Sequence, residues 1–161
     1  MQIKNTVALV TGANRGIGAA LVQALLAHGA SKVYAAARHE DDLTRLRASR
    51  DRRIVPVDLD VTKADHVGRV ADQARDVKVL VNNAGVLDFG SVLDASPAAF
   101  ARNFDVNFFG LLNVTRAFAP TLIENHGARA GLVRLPWGSP TSRSSVLAGG
   151  WHRRDSNARS T

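Results

Sequence analysis

Thr6-Val-Ala-Leu-Val10 runs straight into Thr11-Gly-Ala-Asn-Arg-Gly-Ile-Gly18, and the fold is decided by how these thirteen residues are read. The first run predicts a strand buried on both faces of a sheet. Beyond the glycines, Ile17, Leu21, Ala24, Leu25 and His28 recur at helical spacing, and Gly29 is placed to end that helix. A turn with glycines at 12, 16 and 18 lets the backbone leave the strand sharply and approach a pyrophosphate closely. The following helix would point its free N–H groups and positive dipole end at such an anion. The plain alternative is a strand-to-helix turn that is merely rich in glycine.

Outward from this unit the alternation continues. Val33–Ala37 is a second strand, and residues 40–50 form a polar helix with Leu43 and Leu46 inward. The acids Glu40, Asp41 and Asp42 open it, where negative charge suits the dipole. Arg53–Val57 is a third strand, to which Pro56 is an objection. Residues 63–75 form a helix with Val67, Val70 and Ala74 inward, and Val77–Val81 is a fourth strand. Ser96-Pro97 signals a helix start. The segment 97–124 then places Phe100, Phe104, Phe108, Leu111, Thr115, Phe118 and Leu122 on one face. Strand–helix alternation at this pitch predicts an α/β fold, a doubly wound parallel sheet with right-handed crossovers.

The chain has 161 residues, enough for one domain with a real core. It has no cysteine, which excludes disulfides, thiolate metal sites and a cysteine nucleophile. The five histidines (28, 39, 66, 126 and 152) show no metal spacing, so no metal is expected. No apolar run suits a membrane span, and Met1–Asn5 lacks a signal-peptide layout; the expected address is the cytoplasm. The net charge of +7 is unevenly spread. Residues 1–127 carry 15 Lys and Arg against 13 Asp and Glu, whereas residues 128–161 carry six Arg against Asp155 alone. The last segment also holds six Ser and both tryptophans and keeps no period after Pro136. The expected division is therefore 1–127 as a nucleotide-binding domain and 128–161 as an irregular basic tail.

Thr11-Gly-Ala-Asn-Arg-Gly-Ile-Gly18 resembles the T-G-x-x-x-G-x-G signature of the short-chain dehydrogenase/reductase family. Three further matches follow in order. Asp60-Val61 resembles the family's adenine-contacting pair. Asn82-Asn83-Ala84-Gly85 is its N-N-A-G motif. Asn107, within Val106-Asn107-Phe108-Phe109-Gly110, falls where the family places its active-site asparagine. The resemblance implies a Rossmann-type sheet in order 3-2-1-4, with Gly131–Leu135 as a fifth strand in outline. It implies cofactor contacts from Gly12, Asn14, Arg15, Gly16, Ile17, Gly18, Arg38, Asp60, Val61, Asn83, Ala84 and Gly85. It also implies that Asn82 ties neighbouring strands, and that Asn107 distorts its helix and holds a water of the proton relay.

Charge narrows the cofactor. A site for NAD(H) wants a carboxylate at the end of the second strand, and one for NADP(H) wants a cation for the 2′-phosphate. The strand ends Ala36-Ala37-Arg38, with no acid before Glu40, and Arg15 precedes Gly16. Paired guanidiniums bind phosphate well, so NADP(H) is favoured over NAD(H). Two solvated surface arginines are the alternative.

The family's chemistry also needs a serine and a Tyr-x-x-x-Lys pair, in which the lysine lowers the tyrosine pKa. In this chain they would fall within residues 131–155, which contain no tyrosine and no lysine. Tyr34 and Arg38 imitate the spacing, but four residues along a strand span about 13 Å, so Tyr34 reads as core. Where a serine belongs stand Pro136-Trp137, with Ser139 out of register. Asn107 is thus the sole catalytic candidate. A frameshift near codon 128, a nucleotide-binding pseudoenzyme and a nucleic-acid-binding tail each account for this. The tail lacks the interleaved aromatics that nucleic acid favours, and no membrane partner is expected. The implied family reaction is hydride transfer to a small carbonyl or from a secondary alcohol, with homo-oligomers as a further implication. Loss of later elements would leave the Phe100–Leu122 face and one sheet edge partly uncovered.

Overall fold

The computed structural model describes residues 2–88 and 95–126, with the backbone of 130–132. β1 (Val7–Thr11), β2 (Lys32–Ala37), β3 (Ile54–Asp58), β4 (Val79–Asn82) and β5 (Ala130–Leu132) form one sheet in the order β3-β2-β1-β4-β5. Every neighbouring pair is parallel. The order 3-2-1-4 is as expected, and the fifth strand lies beside β4, pairing Leu80 with Ala130 and Asn82 with Leu132. The rest of the expected fifth strand, the tail and most of the 131–155 window lie outside the described residues.

Alternation along the strands builds two cores. Ala8, Val10, Val33 and Ala35 face one side, where they meet Val22 and Leu26 of α1 (Gly16–Ala27). Leu46 of α2 (Glu40–Arg47) packs against that cluster. Leu9, Tyr34, Ala36 and Leu80 face the other side. There they meet Val67 and Val70 of α3 (Ala64–Gln73) and Val114, Phe118 and Leu122 of α5 (Leu111–Glu124). Strands buried on both faces with helices on each side make the doubly wound α/β fold. Tyr34 is core as expected, 7% exposed.

Pro56 belongs to β3 after all, opposite Ala35. Val33 N–H donates to the Arg53 carbonyl and Leu59 N–H donates to the Ala37 carbonyl, so the odd-numbered residues of this stretch bond inward to β2. Pro56 falls in the opposite phase, on the outer side of an edge strand, where a missing N–H breaks no ladder bond.

Two expectations about helix stripes hold only in part. In α1 Leu21 and Leu25 pack against the core as expected, but the buried side chains are Val22 and Leu26, while Ile17 is 46% exposed and Ala24 is also exposed. The second departure follows the segment 97–124. Ser96 caps α4 (Pro97–Phe104), its Oγ accepting from Ala99 N–H at 3.1 Å. Between α4 and α5, residues Asp105–Gly110 form a π-helical turn. A wider turn shifts the buried line by about one residue on its upstream side. Asn103, Val106 and Gly110 lie inward there, while Phe104 and Phe108 are 59% and 56% exposed. Phe118 and Leu122, beyond the turn, are buried as expected, so of the Phe100–Leu122 face it is the Phe104 and Phe108 part that stays uncovered among the described residues, joined by Phe109.

Candidate functional site

The loops after β1, β2, β3 and β4 all emerge at the C-terminal end of the parallel sheet, where open α/β folds bind ligands. Thr11, the last residue of β1, is 1% exposed. Its Oγ1 accepts from Asn83 N–H at 3.0 Å and Ala84 N–H at 2.9 Å, and donates weakly to the Val81 carbonyl at 3.4 Å. The Asn83 side chain completes the junction, Nδ2 donating to the carbonyls of Thr11 at 2.9 Å and Gly12 at 3.0 Å. Both amide hydrogens of Asn83 are thereby engaged in binding β4 to β1.

The glycines are fitted to this junction. Gly12 has φ +64°, and a Cβ there would stand 2.9 Å from Ala84 Cα. A Cβ on Gly18 would run into the Gly12 carbonyl and Asn83 Nδ2. Gly16, also at positive φ, differs: a Cβ there would meet nothing within 4 Å, so the backbone borders open space at the helix start. That open cradle, with the first N–H groups of α1 beside it, fits a phosphate.

The turn after β2 joins the same end. Ala13 N–H donates to the Ala36 carbonyl at 2.9 Å. Asn14 Nδ2 donates to Asp42 Oδ2 at 2.9 Å, and Arg45 Nη2 donates to Asp42 Oδ1 at 2.8 Å. Glu40 pairs with Arg47. Arg15 precedes α1 and Arg38 follows β2; both are exposed. Arg38 Nε meets His39 Nε2 at 2.9 Å. Asp60, after β3, accepts on Oδ1 from Thr62 Oγ1 at 2.7 Å and Thr62 N–H at 3.0 Å. Burial by itself would raise the Asp60 carboxyl pKa. The two Thr62 donors, with the charges of Lys63 and Arg38, outweigh that and hold it below its ordinary value. Val61 is buried in the core beneath Gly110, so its side chain packs inward rather than toward a ligand.

Asn107 sits in the π turn, the helix distortion expected of it. Its Oδ1 accepts from Val86 N–H at 2.9 Å and its Nδ2 donates to the Val86 carbonyl at 2.8 Å. The pair of bonds ties the π turn to the loop after β4, with Gly85 alongside. Among the described residues, the Asn82 side chain bonds a helix rather than a strand: its Nδ2 donates to Thr115 Oγ1 at 3.1 Å, joining β4 to α5. The strand-tying asparagine is Asn83. Thr11 and Asp42 belong to the site as well. Thr11 was legible as a hydroxyl ending a buried strand, but only the register shows what it bridges.

A family model described as short chain dehydrogenase matches residues 6–133. The chain belongs to this family. A solved short chain dehydrogenase from Burkholderia cenocepacia in complex with NADP is 46% identical, with a TM-score of 0.72. That match covers 78% of this chain and 52% of the other. An uncharacterized oxidoreductase from Methylorubrum extorquens is 34% identical over 130 residues, 76% of this chain and 52% of its own length. Epidermal retinol dehydrogenase 2 from Mus musculus is 33% identical over 133 residues, 78% of this chain and 43% of its own length. The chain thus spans about half the length of the curated relatives it matches. Among the described residues, no helix is long and apolar enough to cross a membrane. No group of three His, Asp or Glu side chains among them could hold a metal ion.

Proposed function

We propose that the crevice at the C-terminal ends of β1, β2, β3 and β4 binds a nicotinamide dinucleotide and prefers NADP(H) to NAD(H). The carrying observation is the open cradle at Gly16, flanked by two exposed arginines and lacking a carboxylate at the β2 end. The pyrophosphate would rest on the backbone of Gly12–Gly18 and the start of α1. Arg15 and Arg38 would hold the 2′-phosphate, Asp60 the adenine side, and Ala84 and Gly85 the nicotinamide side. Asn14, Asn83 and Val61 act on this site by holding the loops, since their side chains are engaged within the protein. Of the acids that open α2, Glu40 is paired with Arg47 and Asp42 with Asn14 and Arg45, so neither competes for a ribose hydroxyl.

When bound, the nicotinamide supplies hydride exchange with a carbonyl or secondary alcohol, while the protein positions it. In this reading the whole protein is a cytoplasmic, self-associating oxidoreductase of small carbonyl or alcohol substrates. Within this sequence only Asn107 remains of the family's catalytic set, because residues 131–155 hold neither tyrosine nor lysine. Missing general acid–base chemistry lowers turnover by about 10²–10⁴. The chain as given therefore binds cofactor, through residues 1–127, without normal turnover.

Fluorescence titration tests this directly. NADPH should bind with a lower Kd than NADH, and carbonyl substrates should not oxidise the bound NADPH at an ordinary rate. Failure to bind either nucleotide would end the reading. Translating the other two frames beyond codon 127 tests the parentage of residues 128–161: a frame with Tyr-x-x-x-Lys identifies a shifted reading frame, and its absence favours the pseudoenzyme.

A further inference from the structure

Asp42 is 9% exposed, buried beside Leu43 in a first turn whose Glu40 and Asp41 are open to solvent, and its two carboxylate oxygens have different partners. Oδ2 reaches out of α2 to Asn14 in the glycine loop, and Oδ1 takes the guanidinium of Arg45 one turn along. This is the side-chain bond between the loop after β1 and the helix after β2. The flanking residues carry the site's cations: Arg15 follows Asn14 directly, and Arg38 opens the two-residue turn that leads from β2 into α2. No phosphate contact is available to Asp42 itself. Its charge is matched by Arg45, and both oxygens are occupied.

We infer that Asp42 is a specificity-determining positioning residue, whose clasp on Asn14 fixes the spacing of Arg15 and Arg38 so that they take a ribose 2′-phosphate together. This rests on the proposed NADP(H) site. A ribose 2′-hydroxyl gains little from two guanidiniums, whereas a phosphate gains from both only when they are held at one distance. Loosening the clasp should therefore weaken NADPH far more than NADH. A side chain that merely stabilised the fold would weaken both alike.

The test is a titration of NADPH and NADH against the full chain and four variants: Asp42→Ala, Asp42→Asn, Asn14→Ala and the double Asn14→Ala/Asp42→Ala. Asp42→Ala and Asn14→Ala should each cut the NADPH-over-NADH preference about five- to tenfold, the effect of one lost hydrogen bond. Asp42→Asn keeps an acceptor for Asn14 and should stay close to the parent preference. The double variant should be no worse than either single one, because both remove the same bond. Equal loss for both nucleotides, or an unchanged preference, overturns the inference while leaving the binding site standing. A parent chain that binds neither nucleotide overturns the site and the inference with it. Should Asp42→Ala fail to fold, Asn14→Ala at the half-buried loop position decides alone.

Discussion

The two ends of the sheet are held by different chemistry. At the C-terminal end, Thr11, Asn83 and Asn107 join strands and loops through uncharged groups, and glycines keep the space beside them clear. At the N-terminal end, Tyr34 Oη donates to Asp76 Oδ1 at 3.0 Å, and Lys32 Nζ reaches both Tyr34 Oη at 3.1 Å and Asp76 Oδ2 at 2.5 Å. Lys32 also lies 4.9 Å from the centre of the Tyr34 ring. One end pairs Asp42 and Glu40 with Arg45 and Arg47 yet leaves Arg15, backbone donors and space for an anion, and the other pairs its charges in a closed Lys32–Tyr34–Asp76 cluster. Its lysine and tyrosine adjoin yet suit no acid–base role: burial and Asp76 raise the Tyr34 pKa, the opposite of activation. An end built for a ligand must hold its shape without filling its own cleft.

The comparison breaks most completely at Gly18. Gly18→Val drives a branched side chain into the Gly12 carbonyl and Asn83, so the loop cannot close on β4. Loss of all dinucleotide binding and a markedly lowered melting temperature are expected, read by titration and circular dichroism. Next is Thr11→Val, which keeps the shape but removes the acceptor for Asn83 and Ala84 N–H. Roughly 1–3 kcal/mol per orphaned donor should be lost in urea unfolding, with a slope close to the parent's. At the other end, Tyr34→Phe removes an exchangeable hydroxyl contact and should cost only about 0.5–1.5 kcal/mol, with cofactor binding unchanged.

The smallest change sharpens the contrast through pH. Burial would raise the Asp76 carboxyl, but the bonds and charge from Lys32 and Tyr34 hold it below its ordinary 3.8. Its stabilisation is thus full above that value and lost as pH falls through the lowered one. Lys32 is raised from 10.5, chiefly by Asp76, and Tyr34 from 10.0, so their share is full below those values and lost as pH rises. Asp76→Asn should therefore be less stable than the parent near neutrality, with the gap closing at both extremes. A gap that stays constant from acid to alkali would show that the charges contribute nothing.

The sheet was legible because strands buried on both faces leave runs of Val, Leu and Ala between glycines and polar helices. The glycine-bearing motifs were legible because close backbone approach demands glycine and leaves its mark in the sequence. What escaped was relational. Nothing in Asn14 names Asp42 as its acceptor, 28 positions on. Phe104 and Phe108 follow a regular helical period, and only the π turn, which starts after Phe104 and contains Phe108, turns them outward. Asn82 and Asn83 look alike in sequence, and strand pleat alone sends one to α5 and the other to β1.

Pro56 gives the sheet a direction of growth. A strand laid against the outer side of β3 would meet a missing donor at the middle of its ladder. Ala130–Leu132 in β5 contains no proline. Strand addition therefore has one favoured side, β5, whether the added segment comes from farther along the chain or from another molecule. Among the described strands, the two edges of the sheet thus differ by one backbone donor, and a proline placed in β5 would make them alike.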